Sequence, residues 1–222
     1  NRNFNEGLNI ITYRATDVVG NAVFVNVTFY IDSKKPRITK VEPKKGFTSG
    51  DFFVQFREEN PTSLMLHYGN LVSSYLEHAT NINNDCILDR GRYTCNEFVD
   101  LSSYDNQVIG YWAHLTDVAS NSHESRKVSL QVDTTLPVIE SINNEINGKT
   151  VDFDILISEF NFDSAEYYDN SETRPRWRTL CTRLRDNHCI ARKTFTVGIH
   201  NLDIQVIDKA GNSVAESVSL TI

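Results

Sequence analysis

The chain has 222 residues, with 22 Lys and Arg against 29 Asp and Glu, and therefore a formal net charge of −7. This acidic balance argues against nucleic acid as a partner and suits a protein surface exposed to water. The sequence holds no apolar run long enough to cross a membrane and none of the common nucleophile, zinc-protease or phosphate-loop motifs. We therefore predict a protein that is not an enzyme, with no membrane insertion in this segment.

The first predicted element is a β-hairpin. Apolar residues alternate from Ile11 to Ala15 and again from Val23 to Ile31, and a five-residue phrase between the two runs, Asp-Val-Val-Gly-Asn at 17–21, supplies turn chemistry. The Asp carboxylate can accept backbone N–H groups of the loop, and Gly-Asn tolerates positive φ where the chain reverses. Asn26 lies in the chain's one acceptor sequence for N-glycosylation, on the strand face opposite the valines.

A short linker and a second set of strands follow. The linker reads Asp-Ser-Lys-Lys-Pro at 32–36, short apolar runs occur at 52–56 and 63–68, and the turn phrase returns as Asp-Val-Ala-Ser-Asn at 117–121. Ser120 replaces the glycine here, so either Ser120 is strained at positive φ or Asn121 alone takes the left-handed position.

The same order of elements then repeats once more. A second linker reads Asp-Thr-Thr-Leu-Pro at 133–137, an alternating run occupies 151–157, and the turn phrase appears a third time as Asp-Lys-Ala-Gly-Asn at 208–212. No segment has the pattern of an amphipathic helix of ordinary length. Self-similarity on this scale predicts a tandem array of all-β units, and regular short strands favour immunoglobulin-like β-sandwiches joined by Asp-x-x-x-Pro linkers.

The turn phrase and the linker phrase resemble those of the tandem immunoglobulin-like repeats of bacterial and archaeal surface proteins. The resemblance depends most on Val-Asp-Thr-Thr-Leu-Pro at 132–137 and is weak in the middle of each repeat. It implies a stalk, adhesin or filament segment outside the cell, and it implies no particular ligand.

The repeats predict three parts. Residues 1–35 hold the last two strands of an incomplete module, and residues 36–136 and 137–222 each form a module large enough to bury a core. A hairpin alone is marginal in water and leaves an open edge. We expect either upstream residues of a longer chain or a neighbouring subunit to complete this module, the second possibility making the protein a filament subunit.

Four cysteines form two local pairs at equivalent places in the two modules. Cys86 with Cys95 and Cys181 with Cys189 predict one disulfide per module and hence an oxidising, extracytoplasmic setting. Zinc is disfavoured, because neither pair has the two-residue spacing of a zinc knuckle.

Calcium is the candidate metal. In a sandwich with an odd number of strands, the final turn lies at the same pole as the incoming linker, which places two groups of oxygen ligands together: Asp32, Asp117 and Asn121 in one, and Asp133, Asp208 and Asn212 in the other. Hard oxygen ligands are what calcium binds, and neutralising them would stiffen the linker. The alternative is that these residues act only in the turns, since calcium takes six to eight oxygens. No cofactor is required in either case.

One basic patch stands out near residue 176. It consists of Arg174, Arg176, Trp177 and Arg178, with the arginines at alternate positions and hence on one face of an extended strand. The patch suits an anionic polysaccharide or an acidic neighbour, with Trp177 available for stacking. The alternative is cross-strand pairing with acidic residues of the same module, namely Asp152, Asp154, Glu159 and Glu166.

The sequence thus favours an extracellular or cell-surface structural segment whose partners are other copies of itself or further modules of its own chain. The alternative is an adhesin-type module that binds a glycan or a surface protein through its loops.

Overall fold

The computed structural model describes residues 4–70 and 75–222, and almost all of its regular structure is β-strand. In these two ranges, helix is limited to one turn at Ile82–Asp85 (α1) and a 3₁₀ turn at Ser102–Tyr104. No described helix has the length and apolar character needed to span a membrane. The all-β prediction is confirmed.

The chain separates into two compact units. The first comprises Asn1–Glu42, Phe52–Phe98 and Gly110–Val128, and the second comprises Pro43–Asp51, Val99–Ile109 and Ser129–Ile222. The module boundaries expected from the repeats, 1–35, 36–136 and 137–222, remain a prediction.

Ten strands lie wholly or mainly in the first unit. They are β1 (Gly7–Thr16), β2 (Ala22–Ile31), β3 (Arg37–Glu42), β5 (Asp51–Arg57), β6 (Pro61–Asn70), β7 (Leu76–Thr80), β8 (Cys86–Asp89), β9 (Arg92–Phe98), β10 (Val108–Asp117) and β11 (Ser122–Glu124). Strands β1 and β2 form a separate two-stranded sheet. One larger sheet has the order β3-β5-β9-β8, and in another β10, β6 and β7 are neighbours with β11 on β10.

Alternation of apolar residues builds the core of this unit. Phe52, Val54 and Phe56 of β5 are buried, and so are Leu64 and Leu66 of β6, while the residues between them are partly exposed. A strand that is apolar on one face can bury only that face, so the sheets must pack with these faces together.

The second unit contains the remaining strands. They are β4 (Phe47–Thr48), β12 (Val128–Val132), β13 (Val138–Asn147), β14 (Thr150–Ser158), β15 (Phe162–Asp169), β16 (Trp177–Cys181), β17 (His188–Thr194), β18 (Ile199–Asp208) and β19 (Ser213–Thr221). Two sheets, β13-β14-β17 and β16-β15-β18-β19, enclose one core of apolar residues, and β4 pairs with β12 in parallel. Val151, Phe153, Ile155 and Ile157 of β14 are buried at the period expected for a strand covered on one face.

All three turn phrases connect antiparallel strands, β1 to β2, β10 to β11 and β18 to β19. The second copy differs from the simple hairpin expected, because its return strand is split into β11 and β12. Ser120 itself has φ of 66°, where Gly20 and Gly211 have 96° and 92°. The interpretation that Asn121 takes the left-handed position is therefore wrong, and Ser120 carries that strain.

Candidate functional site

Each turn phrase folds into the same hydrogen-bonded turn. In the third copy, Asp208 Oδ1 accepts the backbone N–H of Ala210 at 2.8 Å and of Asn212 at 2.9 Å, and Asp208 Oδ2 accepts the Asn212 side-chain amide at 2.7 Å. Asp17 and Asp117 accept the equivalent three bonds within 2.9 Å. These hydrogen bonds within the turn are sufficient to account for the Asp and the Asn of the phrase.

In two of the copies the turn also anchors a linker. The Asn121 side chain donates a second hydrogen bond to the backbone carbonyl of Asp32 at 3.0 Å, and Asn212 does the same to Asp133 at 2.9 Å. Each amide therefore connects a turn to the first residue of the linker that begins about 80 to 90 residues earlier in the chain, a long-range tie in both cases.

Asp32, Glu58 and Asp117 form a three-carboxylate cluster in the first unit. One oxygen from each lies within 4.8 Å of the other two, and Asp117 is buried. The Asn60 side chain donates to Asp32 Oδ2 at 3.1 Å, and the Asn60 backbone N–H donates to Glu58 Oε1 at 2.9 Å.

Asp133, Glu159 and Asp208 form the corresponding cluster in the second unit, again with the three oxygens within 4.8 Å. Asp133 and Asp208 are only 4% and 2% exposed. Asn161 repeats the contacts of Asn60, with its side chain at 2.5 Å from Asp133 Oδ2 and its backbone N–H at 2.6 Å from Glu159 Oε1. The two clusters therefore share the same residue types and the same hydrogen bonds.

The charge in the second cluster is incompletely balanced. Burial raises the pKa of Glu159 above its ordinary value, and the nearby Asp133 and Asp208 carboxylates raise it further, against hydrogen bonds from Asn161 and Phe160 that lower it. No described Lys or Arg forms an ion pair with any of these three carboxylates. A divalent cation bound here would relieve this repulsion, because it favours the charged form of every carboxylate it touches.

The structure brings together the residues that the sequence assigned to each candidate calcium group, and it adds residues that sequence reasoning missed. Glu58 and Asn60 in one cluster correspond to Glu159 and Asn161 in the other, as Glu-x-Asn at 58–60 and 159–161. The sequence signal that could have found these residues is their spacing. Both Glu-x-Asn copies follow their linker aspartates at the same distance in sequence, as expected for equivalent positions of a repeat. Calcium binding itself stays a prediction.

Both expected disulfides are present. Cys86 pairs with Cys95 across β8 and β9, and Cys181 pairs with Cys189 between β16 and β17, leaving no free cysteine in the described chain. Cys95 and Cys189 are fully buried, so each bridge anchors an edge of the sheet to the core.

The basic patch is partly occupied by intramolecular contacts. Arg178 makes two 2.6 Å hydrogen bonds to Glu172, and Trp177 packs against Tyr168 with ring centroids 5.3 Å apart. Arg174 and Arg176 precede the strand and are exposed, so the three arginines do not share one strand face as expected. Binding of a partner by this patch stays a prediction.

The acidic residues expected to pair with the patch have other partners. Asp152 accepts two hydrogen bonds from Arg192, and Asp154 lies 2.5 Å from His188 across β14 and β17. Glu159 belongs to the second carboxylate cluster, and Glu166 accepts a hydrogen bond from Thr179. Cross-strand pairing thus occurs in this module, but with Arg192 and His188 instead of the arginines of the patch. Asn26 is exposed on β2, as a glycosylation acceptor must be, and its occupancy stays a prediction.

Solved structures with similar folds are tandem β-sandwich modules. The FN1–FN3 domains of chicken CNTN1 match with a TM-score of 0.53 and 8% identity, covering 96% of this chain and 77% of that chain. The fibronectin(III)-like modules of Clostridium thermocellum CbhA match with a TM-score of 0.42 and 10% identity, covering 84% of this chain and 93% of that chain. No protein-family model and no curated protein matches the sequence. The chain thus has the fold of tandem immunoglobulin-like or fibronectin III-like β-sandwiches.

Proposed function

We propose that this chain is a non-enzymatic structural segment of an extracellular or cell-surface protein, a stalk, surface-layer or filament building block whose work is mechanical. The observation that supports this most directly is the duplicated anchoring of the linkers. In both copies, an Asn at the final turn of a repeat holds the carbonyl of the Asp that begins the preceding linker. A repeated device that restrains each linker is what a spacer needs and what an isolated binding domain does not.

The anchoring restricts the linker more than its length alone. Each linker ends in proline, which fixes one φ, and the tie from Asn121 or Asn212 fixes the other end. In the second unit the turn makes a further contact, because Ser49 Oγ donates to the carbonyl of Ala210 at 3.2 Å. Such restraints reduce the conformational freedom of the linker backbone.

The two disulfides support an extracellular setting. Disulfide bonds persist mainly in oxidising compartments, and a loop of about ten residues closed by one contributes roughly 2 to 3 kcal/mol in the chain-entropy model. The isolated β1–β2 hairpin fits the same function, as part of a module that upstream residues or a neighbouring subunit complete.

Calcium at the two carboxylate clusters would complete this mechanical role. Three carboxylates supply at least three of the six to eight oxygens that calcium takes, and neighbouring carbonyls and water can supply the rest. Binding would join a linker Asp to a turn Asp of the same cluster and so stiffen the connection already made by Asn121 or Asn212.

Thermal unfolding with and without calcium tests the metal. We expect calcium to raise the unfolding temperature of the native chain, and Glu159→Gln to weaken that rise while increasing stability without calcium, because it removes one like charge. Glu140→Gln, at an exposed carboxylate outside the cluster, is the matched control and should behave as the native chain. An equal calcium response in Glu159→Gln and Glu140→Gln would rule out binding at this cluster.

The mechanical role is tested by the distribution of distances between spin labels at two exposed positions, Glu77 and Glu216. We expect a narrow distribution in the native chain and a broad one when Asn121 and Asn212 are both changed to Ala. A broad distribution in the native chain contradicts a stiff spacer. Saturable binding of a glycan or protein that is lost on changing Trp177 to Ala would favour the adhesin-type alternative.

A further inference from the structure

We propose that the free edge of β1 and the adjoining apolar face of the β1–β2 hairpin form a docking surface for an incomplete immunoglobulin-like sandwich, one that has five strands equivalent to β13–β17 and lacks its last two. This inference rests on the assignment of the hairpin to an incomplete module in the proposed function. It adds which edge, which face and which class of partner.

The third repeat shows what covers such a hairpin. From Leu8 opposite Tyr30 to Thr16 opposite Ala22, every pair in the β1–β2 register has its equivalent in β18–β19 at the same distance from the turn Asp. Gly198 and Ile222, equivalent to Gly7 and Ile31, exchange two backbone hydrogen bonds just beyond these strands. In β18–β19 the hairpin is the end of a four-stranded sheet and packs over the second core. The same element is therefore present twice, once with its partners and once, among the described residues, without them.

The two copies differ in one strand edge. Strand β18 pairs with β19 on one side and with β15 on the other, whereas the only described partner of β1 is β2. Asp17 N–H donates to the Asn21 carbonyl, so odd-numbered residues of β1 point their N–H and C=O groups toward β2. The groups of Ile10, Thr12 and Arg14 then point to the open edge, as those of their β18 equivalents point to β15.

The two copies also differ in the burial of one face. Leu202, Ile204 and Val206 of β18 are fully buried, and their equivalents in β1 are Ile11, Tyr13 and Ala15. Tyr13 is 58% exposed. On β2 the same face continues with apolar side chains that are 44% to 61% exposed, namely Val23, Val25 and Val27. A ten-residue open edge beside an apolar face is a surface built for strand addition.

A second copy of this chain is a poorer occupant. Its own candidate acceptor edge, on β15, is already paired with β18. An acceptor that lacks its final hairpin instead offers an unpaired strand and an uncovered core together, which match the two features left open on β1–β2.

The test uses the full chain as donor and a probe consisting of residues 137–198, which hold β13–β17 and the Cys181–Cys189 disulfide, as acceptor. The two are mixed by refolding and examined by light scattering and amide hydrogen exchange. We expect a one-to-one complex in which exchange slows at Ile10, Thr12 and Arg14 and is unchanged at Asn26, on the outer edge of β2.

Two matched pairs of variants identify the surface. Arg14→Pro removes an N–H from the open edge of β1 and should weaken the complex about tenfold or more, whereas Asn26→Pro removes one from the other edge and should have little effect. Tyr13→Glu places a charge on the core-facing side and should abolish the complex, and Thr12→Glu, on the opposite side, should not.

Absence of a complex, protection at Asn26 instead of Arg14, or equal binding by both proline variants would overturn the proposal. Self-association of the full chain without the acceptor, sensitive to Arg14→Pro, would identify a second copy as the occupant and overturn it as well. The calcium and spin-label results do not depend on this docking, so its failure leaves the linker function standing.

Discussion

Replacing Asn212 with Ala is the most direct perturbation of the linker anchor. The side-chain amide donates to Asp208 Oδ2 at 2.7 Å and to the Asp133 carbonyl at 2.9 Å, and both bonds are lost together in the variant. Asn212 is only partly exposed and the Asp208 carboxylate is almost completely buried, so water replaces these bonds poorly.

The two lost bonds set the magnitude. A hydrogen bond to a charged group contributes roughly 1.5 to 3 kcal/mol, and a neutral one roughly 0.5 to 1.5 kcal/mol. We therefore expect Asn212→Ala to lower the free energy of unfolding of the second unit by about 2 to 4 kcal/mol. Asn21→Ala is the matched control, since Asn21 makes the equivalent bond to Asp17 in an exposed turn.

The assay is urea unfolding followed by the fluorescence of Trp177 in a Trp112→Phe background. A smaller denaturation midpoint with an unchanged slope for Asn212→Ala, and no change for Asn21→Ala, would support the reasoning. A loss below about 0.5 kcal/mol for Asn212→Ala would refute it, because the anchor would then contribute no more than an ordinary surface contact.

Two further predictions concern the turn of the second repeat and the second core. Ser120→Gly should stabilise the protein by about 0.5 to 1 kcal/mol, because a left-handed serine is strained where glycine is not. For the same reason Gly211→Ser should destabilise the third turn. Calorimetry of the two variants measures both changes in stability. Burial alone would lower the pKa of His200, but hydrogen bonds to Asp169 and to the Thr196 carbonyl raise it above its ordinary value. The resulting stabilisation is fully present below about pH 6.5 and is lost as the pH rises through the higher folded pKa. The free energy of unfolding should therefore fall as the pH rises above about 6.5 in the native chain, and it should vary less in His200→Gln. Equal pH dependence in the two proteins would contradict this.

The repeated phrases determined much of the architecture in advance. Asp and Asn at the ends of a five-residue phrase, between strands of period two, predicted the three turns because both the turn bonds and the alternation are local properties of the chain. The fold class followed from this alternation and from the tandem repeat. The two cysteine pairs followed from their equivalent places in the repeat. The linker aspartates and turn residues were correctly expected to lie together, since a strand count fixes which pole each turn occupies.

Only the tertiary structure decided the rest. Glu58 and Glu159 join their clusters through contacts with aspartates 26 to 59 residues away, which strand periodicity does not specify, and Asn60 and Asn161 hold them there. Arg178 pairs with nearby Glu172, and Asp152 instead pairs with Arg192 across a register that only the folded sheet sets. Local pattern determines which residues form a strand and which face they share, but the partner of an exposed charge depends on strand order and register, which are long-range properties of the packed sheets.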